Sequence, residues 1–205
     1  MLNSLLLGTR NPGKIYEIQL IIGDLGIEFH SLQEFPDVEV AEENDPTYAG
    51  NAILKAKFYA RATGMLALAD DSGLEVEALG GAPGVLSARY AGEHATDADR
   101  RNLLLSELTK ADSKNPTGSA GRRARFVCAI TIARPNGEIL NLSEGICPGF
   151  ITSAPRGDSG FGYDPLFVPD GYNQTFGELS DEIKNRISHR ARALLKLRDF
   201  LTTIT

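Results

Sequence analysis

The residues with the clearest chemical potential are the neighbouring carboxylates Asp70 and Asp71, which follow an apolar run and precede Ser72 and Gly73. The run 65–69 predicts a buried strand, and the serine and glycine predict a turn in which the chain leaves it. Adjacent side chains on an extended segment point to opposite sides, so one carboxylate can face a ligand while the other supports it. Taken alone, the pattern also describes an ordinary strand end with a solvated acidic turn.

A second candidate is the loop 8–14, with the sequence Gly-Thr-Arg-Asn-Pro-Gly-Lys, which follows a short apolar run predicted as a strand. Asn11 and Pro12 are typical residues of a helix start. Backbone N–H groups there favour an anion, and Lys14 adds a positive charge, so the loop is a candidate phosphate site. The spacing matches most of a Walker A loop, but Ile15 stands where that motif needs a serine or threonine. We therefore exclude a P-loop kinase or GTPase, and an ordinary strand–helix connection is the alternative.

A third candidate is the stretch 159–165, in which glycines flank Phe161 and an acid, Asp164, follows. The aromatic ring can stack on a nucleotide base, and the carboxylate can accept a hydrogen bond from a ring N–H. A glycine-rich loop closed by a buried aromatic side chain is the simpler reading.

A fourth candidate lies near the carboxyl end of the chain, where Lys184 precedes the tripeptide Ser188-His189-Arg190. Ser188 is a good N-cap for a last helix, which puts the other two residues in the first turn. Cations at that position oppose the helix dipole, and a bound anion or an electron-rich ring would explain the cost. A location at the surface would make the cost small.

Strands and helices are predicted to alternate around these groups, which is typical of an α/β fold. One helix follows Pro12, and Gly26 ends its apolar periodicity; a second opens at residues 45–46 and closes at Gly64. Asn51 and Lys55 share a face of this second helix and can point into a cleft, although two solvated side chains are the simpler account.

Further along the chain, Thr96 and Asp99 resemble a capping box for a third helix that ends near Lys110. Residues 111–121 are rich in turn formers and charge, which predicts a connection. Residues 126–133 are apolar on both faces and predict a central strand, followed by a hairpin turn.

Length and charge restrict the class of protein. The chain has 205 residues and a formal net charge of -6, which argues against a general nucleic-acid or anionic membrane surface. Two cysteines are too few for a disulfide framework, and no Cys/His cluster has zinc spacing. No signal sequence or membrane-spanning apolar run is recognised. We expect one domain over residues 1–205, in the reduced cytoplasm, without nucleic-acid or membrane partners.

Six motifs occur in this order along the chain: Thr9-Arg10-Asn11-Pro12-Gly13-Lys14, Asn51-Ala52-Ile53-Leu54-Lys55-Ala56, Ala69-Asp70-Asp71-Ser72-Gly73-Leu74, Leu79-Gly80-Gly81-Ala82-Pro83-Gly84-Val85, Gly160-Phe161-Gly162-Tyr163-Asp164-Pro165 and Ser188-His189-Arg190. Together they resemble the inosine triphosphate pyrophosphatase family, in the order that the family shows. Two departures are Arg10, where the family usually has glycine, and a longer tract at about 111–122.

The resemblance implies a long curved mixed sheet flanked by helices, with two lobes, a central substrate cleft and a homodimeric assembly. It implies that Asp71 is the proton acceptor and a ligand of Mg²⁺. Glu42 matches the second magnesium carboxylate, with Glu43 as an alternative. Ser72 matches a substrate contact.

The remaining substrate contacts fall into groups. The resemblance assigns the triphosphate to Thr9, Arg10, Asn11, Pro12, Gly13 and Lys14, and assigns contacts with base and phosphate to Phe161, Gly162, Tyr163, Asp164, Lys184, His189 and Arg190. We add Asn51 and Lys55 to the substrate-binding set because they share one helix face.

The implied activity is Mg²⁺-dependent hydrolysis of ITP, dITP and XTP to the monophosphate and pyrophosphate, which cleanses the nucleotide pool. The residue types agree with this, because Mg²⁺ binds through one or two carboxylates plus phosphate oxygens, and lysines such as Lys14, Lys55 and Lys184 offset phosphate charge. Two alternatives stay open: a pyrophosphatase for modified pyrimidine nucleotides, and a nucleotide-binding regulator without turnover. A regulator would not need a water-activating carboxylate such as Asp71.

Overall fold

The computed structural model describes residues 3–114 and 122–204. The chain divides into two compact units. Unit 1 comprises Met1–Asp71, Cys128–Gly145 and His189–Thr205, and unit 2 comprises Ser72–Val127 and Ile146–Ser188. Each unit has its own hydrophobic core, described below.

The strands of the described residues form one mixed sheet. They are β1 (Ser4–Leu7), β2 (Glu28–Ser31), β3 (Ala67–Val76), β4 (Arg123–Ala133), β5 (Ile139–Ile151) and β6 (Phe167–Pro169). Their order is β2-β1-β3-β4-β5-β6, with β1 parallel to β2 and β3, and β5 antiparallel to β6. The mixed sheet implied by the family resemblance and the central position of β4 are both confirmed.

The helices of the same residues are α1 (Pro12–Ile22), α2 (Tyr48–Thr63), α3 (Asp97–Lys114), α4 (Asp181–Ile187) and α5 (His189–Leu201). The Asn11 cap and the Pro12 start of α1 are confirmed. None of these helices is both long enough and apolar enough to cross a bilayer.

The start of α2 lies two residues beyond the predicted position. The side chain of Asp45 accepts from the N–H of Thr47 at 2.8 Å, and the Thr47 hydroxyl then caps the helix by accepting from Gly50 N–H at 3.0 Å. The acid therefore forms a turn before the helix, and the threonine is the cap. The predicted end is confirmed, because Gly64 has a left-handed φ of 71°.

The capping box of α3 is confirmed, with reciprocal hydrogen bonds between Thr96 and Asp99. The helix continues past Lys110 to Lys114, so the prediction of a connection is wrong for residues 111–114. The rest of that predicted connection, residues 115–121, lies outside the described residues. Helix α4, capped by Ser180, was not predicted.

The prediction that the chain leaves the strand at Ser72 is wrong. Strand β3 runs from Ala67 to Val76, so the two aspartates lie in its middle and not at its end. Leu74 and Val76 are fully buried in the core of unit 2, and the N–H of Leu74 donates to the Ser87 hydroxyl at 2.9 Å. Burial of these apolar residues keeps the chain extended beyond the glycine.

Unit 1 contains two apolar clusters. One includes Ile18 of α1 and Leu194 of α5, and α1 packs against α5. In the other, the small residues Ala56 and Ala60 of α2 are completely buried. The core of unit 2 is built around the aromatic rings of Phe126, Phe167 and Phe176.

Candidate active site

The loop before α1 is closed by its own side chains. The Asn11 side-chain oxygen accepts from the backbone N–H groups of Gly13 at 2.9 Å and Lys14 at 3.2 Å. The Thr9 hydroxyl accepts from the N–H of Asn11 at 3.2 Å. The N–H groups of Gly13 and Lys14, which were expected to bind phosphate, thus already have a protein acceptor. The predicted phosphate contact of this loop stays a prediction.

Arg10, which replaces the glycine usual in the family, lies at the surface. Its guanidinium donates to the carbonyl of Val38 at 2.8 Å. This hydrogen bond connects the loop to the segment that precedes Glu42 and Glu43. Pro12 is exposed at the first position of α1.

Lys14 belongs to a buried charge cluster in unit 1 that also contains Asp70, Arg190 and Glu17. Lys14 Nζ lies 3.0 Å from Asp70 Oδ1, and Arg190 Nε lies 3.2 Å from Asp70 Oδ2. The other side of the guanidinium pairs with Glu17 through Nη1. The side chains of Asp70 and Arg190 are only 1% and 2% exposed, so water screens their charges little.

These contacts keep Asp70 and Arg190 ionised. Burial alone would raise the pKa of Asp70, but Lys14 and Arg190 outweigh it and hold that pKa well below its usual range. Burial alone would lower the pKa of Arg190, but the carboxylates of Glu17 and Asp70 raise it. Asp70 is therefore a fixed negative charge that orients two cations, and it is unsuited to accept a proton at neutral pH.

Asp71 has different partners from its neighbour, as the alternation of side chains predicts. Asn51 Nδ2 donates to Asp71 Oδ2 at 3.1 Å, and Lys55 Nζ lies 3.8 Å from Oδ1. Burial raises the pKa of Asp71; Lys55 opposes this increase and the charge of Glu43 adds to it. A carboxylate with a raised pKa is a better proton acceptor, which is the property required of a general base.

Asn51 positions Asp71 and the segment before α2. It is buried, and it accepts from the N–H of Asp45 at 3.0 Å and donates to the carbonyl of the same residue at 3.1 Å. Its amide nitrogen thus donates to both Asp45 and Asp71. The simpler expectation of a solvated side chain is wrong, and the predicted substrate contact of Asn51 stays a prediction.

The two glutamates before α2 differ in their surroundings. Glu42 is exposed, whereas Glu43 Oε1 lies 2.5 Å from Lys55 Nζ, the same ammonium that faces Asp71. Lys55 itself is 7% exposed, so it too is not the solvated side chain of the simpler account. Burial would lower its pKa, but the charges of the surrounding carboxylates, Asp70 first, raise it. Glu43 is therefore the glutamate that the structure brings to Lys55 and Asp71.

In unit 2 the structure brings together an aromatic ring, a cation and a carboxylate. Lys184 Nζ lies 2.7 Å from Asp164 Oδ2 and 4.9 Å from the centre of the Phe161 ring. The same carboxylate oxygen accepts from the backbone N–H of Phe161 at 2.9 Å. Gly160 is required here, because a Cβ atom at this position would lie 2.2 Å from that oxygen. The group contains one surface for stacking, one donor and one acceptor, which suits a heterocyclic base.

Other predicted contacts in unit 2 have structural partners. The Tyr163 hydroxyl donates to the carbonyl of Ser87 at 3.0 Å, and burial raises the pKa of the tyrosine. Gly162 has a left-handed φ of 62°. Ser72 directly follows Asp71 in β3 and is half-buried. Their predicted contacts with substrate stay predictions.

His189 is the first residue of α5 and is buried in unit 1, which excludes the surface location considered above. Helix α5 begins close to β5, because a Cβ atom on Gly145 would lie 2.1 Å from the His189 carbonyl oxygen and 2.6 Å from the Ala193 nitrogen. The absence of a Cβ atom at Gly145 thus allows the first turn of α5 to pack this closely against β5. The predicted contacts of His189 and Arg190 with a base stay predictions.

The site described above lies in a chain whose sequence matches the model of the Ham1 family over residues 5–200. The chain belongs to the Ham1 family. This confirms the resemblance that the motifs indicate.

Individual proteins are similar to this chain over most of their lengths. A protein of Desulfotalea psychrophila named dITP/XTP pyrophosphatase is 48% identical over 198 residues, covering 97% of this chain and 85% of the relative. A protein of the same name from Desulforamulus reducens is 48% identical over 200 residues, covering 98% and 96%. The structure of a HAM1 protein from Coxiella burnetii matches with a TM-score of 0.87 at 42% identity, covering 99% of this chain and 100% of that one.

Three residues that contact predicted site residues were missed from the sequence. Glu17 binds Arg190, and Asp97 and Arg101 contact the backbone of Gly162. A usable signal existed for Glu17, because a charge four positions before the core residue Ile21 lies on the apolar face of an amphipathic helix and suggests a buried ion pair. Nothing local marks the other two, since charged residues are ordinary on a helix surface.

A concave pocket of about 390 Å³ in unit 2 does not contain the predicted site residues. Its two arginines already have carboxylate partners: Arg125 Nε lies 2.7 Å from Glu75, and Arg123 binds Asp170 through two nitrogens at 2.7 and 2.9 Å. The paired charges give no sign of an anion site.

Proposed function

We propose that the chain hydrolyses the non-standard purine nucleoside triphosphates ITP, dITP and XTP to the monophosphate and pyrophosphate. The observation that carries this proposal is Asp71, a buried carboxylate whose pKa is raised by burial and that faces Lys55 and Asn51. Membership of the Ham1 family and the names of its dITP/XTP pyrophosphatase relatives support the substrate class.

In the proposed reaction a water oxygen bonds to the α-phosphorus. The bond from that phosphorus to the oxygen bridging the α- and β-phosphates breaks, and pyrophosphate leaves with the bridging oxygen. Asp71 accepts the proton that the water loses. Lys14 and Lys55 offset the negative charge of the triphosphate, which would otherwise repel the nucleophile.

We propose Mg²⁺ as the cofactor, held by Asp71 and one of the glutamates Glu42 and Glu43. The donors fit this ion, because Asp71 and Glu43 both lie within 4 Å of Lys55 Nζ and carboxylate oxygens are preferred ligands of Mg²⁺. The described residues contain no group of three or more His, Cys, Asp or Glu side chains able to hold a metal. One or two carboxylates together with substrate phosphate oxygens are an ordinary ligand set for Mg²⁺. When bound, Mg²⁺ would supply positive charge to the phosphates.

Product analysis with ITP and Mg²⁺ tests the point of attack. Chromatography should show IMP and pyrophosphate in equal amounts, and EDTA should abolish their formation. IDP with orthophosphate would overturn the proposed cleavage, and faster turnover of a modified pyrimidine triphosphate would overturn the purine preference. Binding of ITP without any turnover would indicate a regulator.

The paired variants Glu42→Gln and Glu43→Gln decide which glutamate helps to hold Mg²⁺. We expect Glu43→Gln to raise the Mg²⁺ concentration needed for half-maximal turnover about tenfold or more, because losing even a residue that hydrogen-bonds a metal ligand weakens metal binding on that scale. Glu42→Gln, an identical change at an exposed position, should have less effect. The reverse order would assign the role to Glu42.

We further propose a homodimer located in the cytoplasm. Both cysteines of the chain are free and buried, which suits a reducing compartment. Light scattering should give twice the mass of one chain, and a monomeric mass would contradict the proposed assembly.

A further inference from the structure

Two side chains of α3 form hydrogen bonds with the backbone of the loop that carries Phe161. Asp97 Oδ2 accepts from the N–H of Gly162 at 2.7 Å, and Arg101 Nη1 donates to the carbonyl of Gly162 at 2.7 Å. The two α3 residues are four positions apart and therefore share one face of the helix. They bind both polar backbone groups of a single residue.

Asp97 is available for this contact because other residues cap the helix. Thr96 and Asp99 form the capping box, so the Asp97 carboxylate is not needed at the helix start. Asp97 Oδ1 pairs with Arg100, whose Nη2 donates to the carbonyl of Ala95 at 2.5 Å. The pair with Arg100 thus restricts the position of the Asp97 carboxylate independently of its contact with the loop.

The peptide groups on both sides of Phe161 therefore donate to carboxylates. The N–H of Phe161 donates to Asp164, and the N–H of the next residue, Gly162, donates to Asp97. Charge-assisted hydrogen bonds are stronger than neutral ones, so this arrangement restricts the position of the Phe161 Cα atom and the direction of the Cα–Cβ bond from which the ring extends. Gly162 suits the turn, because its φ of 62° is in the left-handed region.

We infer that Asp97 and Arg101 are positioning residues for base recognition, which hold the Phe161 ring in the orientation that a purine base stacks on. The inference rests on the proposed function, in which Phe161 contacts the base. In this inference Asp97 and Arg101 act through the loop, and other residues bind the phosphates and the attacking water.

The experiment measures KM and kcat for ITP, and the inhibition constants of IMP and pyrophosphate, for Asp97→Ala and Arg101→Ala. We expect KM for ITP and the inhibition constant of IMP to rise about tenfold, the scale of one lost charge-assisted hydrogen bond. kcat should stay within about threefold of the wild-type value, because the lost binding energy is the same in the ground state and in the transition state. The inhibition constant of pyrophosphate should stay within about twofold of the wild-type value, because pyrophosphate has no base. Asp97→Asn retains an oxygen that accepts from Gly162 and should restore most of the affinity for IMP.

A double-mutant cycle separates positioning from a general loss of structure. In the background Phe161→Leu, adding Asp97→Ala should weaken IMP binding by less than about threefold, because the ring through which it acts is gone. Glu107→Gln, on the same helix in an exposed pair with Lys110, is the matched control and should leave every constant unchanged.

The outcomes are distinct. If Phe161→Leu weakens IMP binding but Asp97→Ala and Arg101→Ala do not, or if they weaken IMP and pyrophosphate equally, the inference is overturned and the proposed function stands. If wild-type protein does not hydrolyse ITP, or Phe161→Leu leaves IMP binding unchanged, the proposed activity or its base contact is overturned, and this inference with it.

Discussion

At the scale of single residues, Asp70 and Asp71 show how partners decide the chemistry of identical side chains. Asp70 faces Lys14 and Arg190, and its pKa is held low. Asp71 is also buried, Lys55 Nζ lies 3.8 Å from its Oδ1 atom, and burial raises its pKa. The first is suited to orient cations, and the second is suited to take a proton.

Replacing Asp71 by Asn should separate turnover from stability. Turnover of ITP should fall about a hundredfold or more, the scale of a lost general base. Because the pKa of Asp71 is raised in the folded state, its ionised form destabilises the fold at pH values above the unfolded pKa. Asn carries no charge, so the unfolding midpoint of Asp71→Asn at pH 7 should equal or exceed that of the wild type.

Turnover and thermal unfolding, measured on the same preparations, test this prediction. Asp199→Asn makes the same chemical change at an exposed aspartate and should alter neither quantity. Near wild-type turnover by folded Asp71→Asn would remove Asp71 from the catalytic role.

Replacing Asp70 by Asn should instead destabilise the protein. It removes the charge that Lys14 and Arg190 share, and breaking a buried ion pair costs about 3–5 kcal/mol. Because the folded pKa of Asp70 is depressed, its contribution is fully present above the unfolded value of about 3.9 and is lost as the pH falls below it. The difference in unfolding free energy between wild type and variant should therefore be large at pH 7 and smaller at pH 3.

Urea unfolding at the two pH values measures that difference. Asp24→Asn is the control, because Asp24 pairs with Arg198 while 64% exposed, and surface pairs contribute about 0–1 kcal/mol. An equal loss for both variants, or a difference that grows at low pH, would contradict the role given to Asp70.

At the scale of elements, the start of α2 fixes the segment that carries Glu43. A Cβ atom on Gly50 would lie 2.0 Å from the Asp45 carboxyl carbon, and that carboxylate is hydrogen-bonded to Thr47. Alanine has a higher helix propensity than glycine. We nevertheless expect Gly50→Ala to destabilise the fold by about 1–3 kcal/mol, the scale of overpacking, because the Asp45 carboxylate must move away from Thr47.

Gly23→Ala is the matched control for this substitution. Gly23 has a φ of -68°, and a Cβ atom there would meet nothing within 4 Å. It should be neutral or stabilising by up to about 1 kcal/mol in chemical unfolding. Equal behaviour of the two variants would show that the Asp45 turn moves without cost.

At the scale of the whole molecule, the expected property is selectivity among bases. Inosine and xanthine present an acceptor at O6 and a donor at N1–H, and adenine presents the reverse pattern. Lys184 offers a donor and Asp164 an acceptor 2.7 Å apart beside Phe161. We expect kcat/KM for ITP and XTP to exceed that for GTP by at least about tenfold, because the 2-amino group of guanine, buried without a partner, costs about 1–3 kcal/mol. We expect ATP to be rejected too, because its donor and acceptor positions are reversed.

Parallel measurements with the four triphosphates at one Mg²⁺ concentration check this expectation. Equal efficiency with GTP and ITP would show that the 2-amino group finds an acceptor or water, even if pyrophosphate is still the product.

The sequence by itself determined the features that depend on a few neighbouring residues. The caps at Asn11 and Thr96, the end of α2 at Gly64 and the opposite directions of the two aspartates all follow from local backbone chemistry. The motifs also identified the family, because their residue types and order extend over the whole chain.

Only the tertiary structure decided which distant groups meet. Strand β3 continues past Gly73 because Leu74 and Val76 are buried in a core assembled from other segments. Arg190 is 120 residues from Asp70 in sequence, yet the two share a hydrogen bond. Burial and partner charge set the pKa values of the site, and both depend on packing between distant segments, which no local pattern encodes.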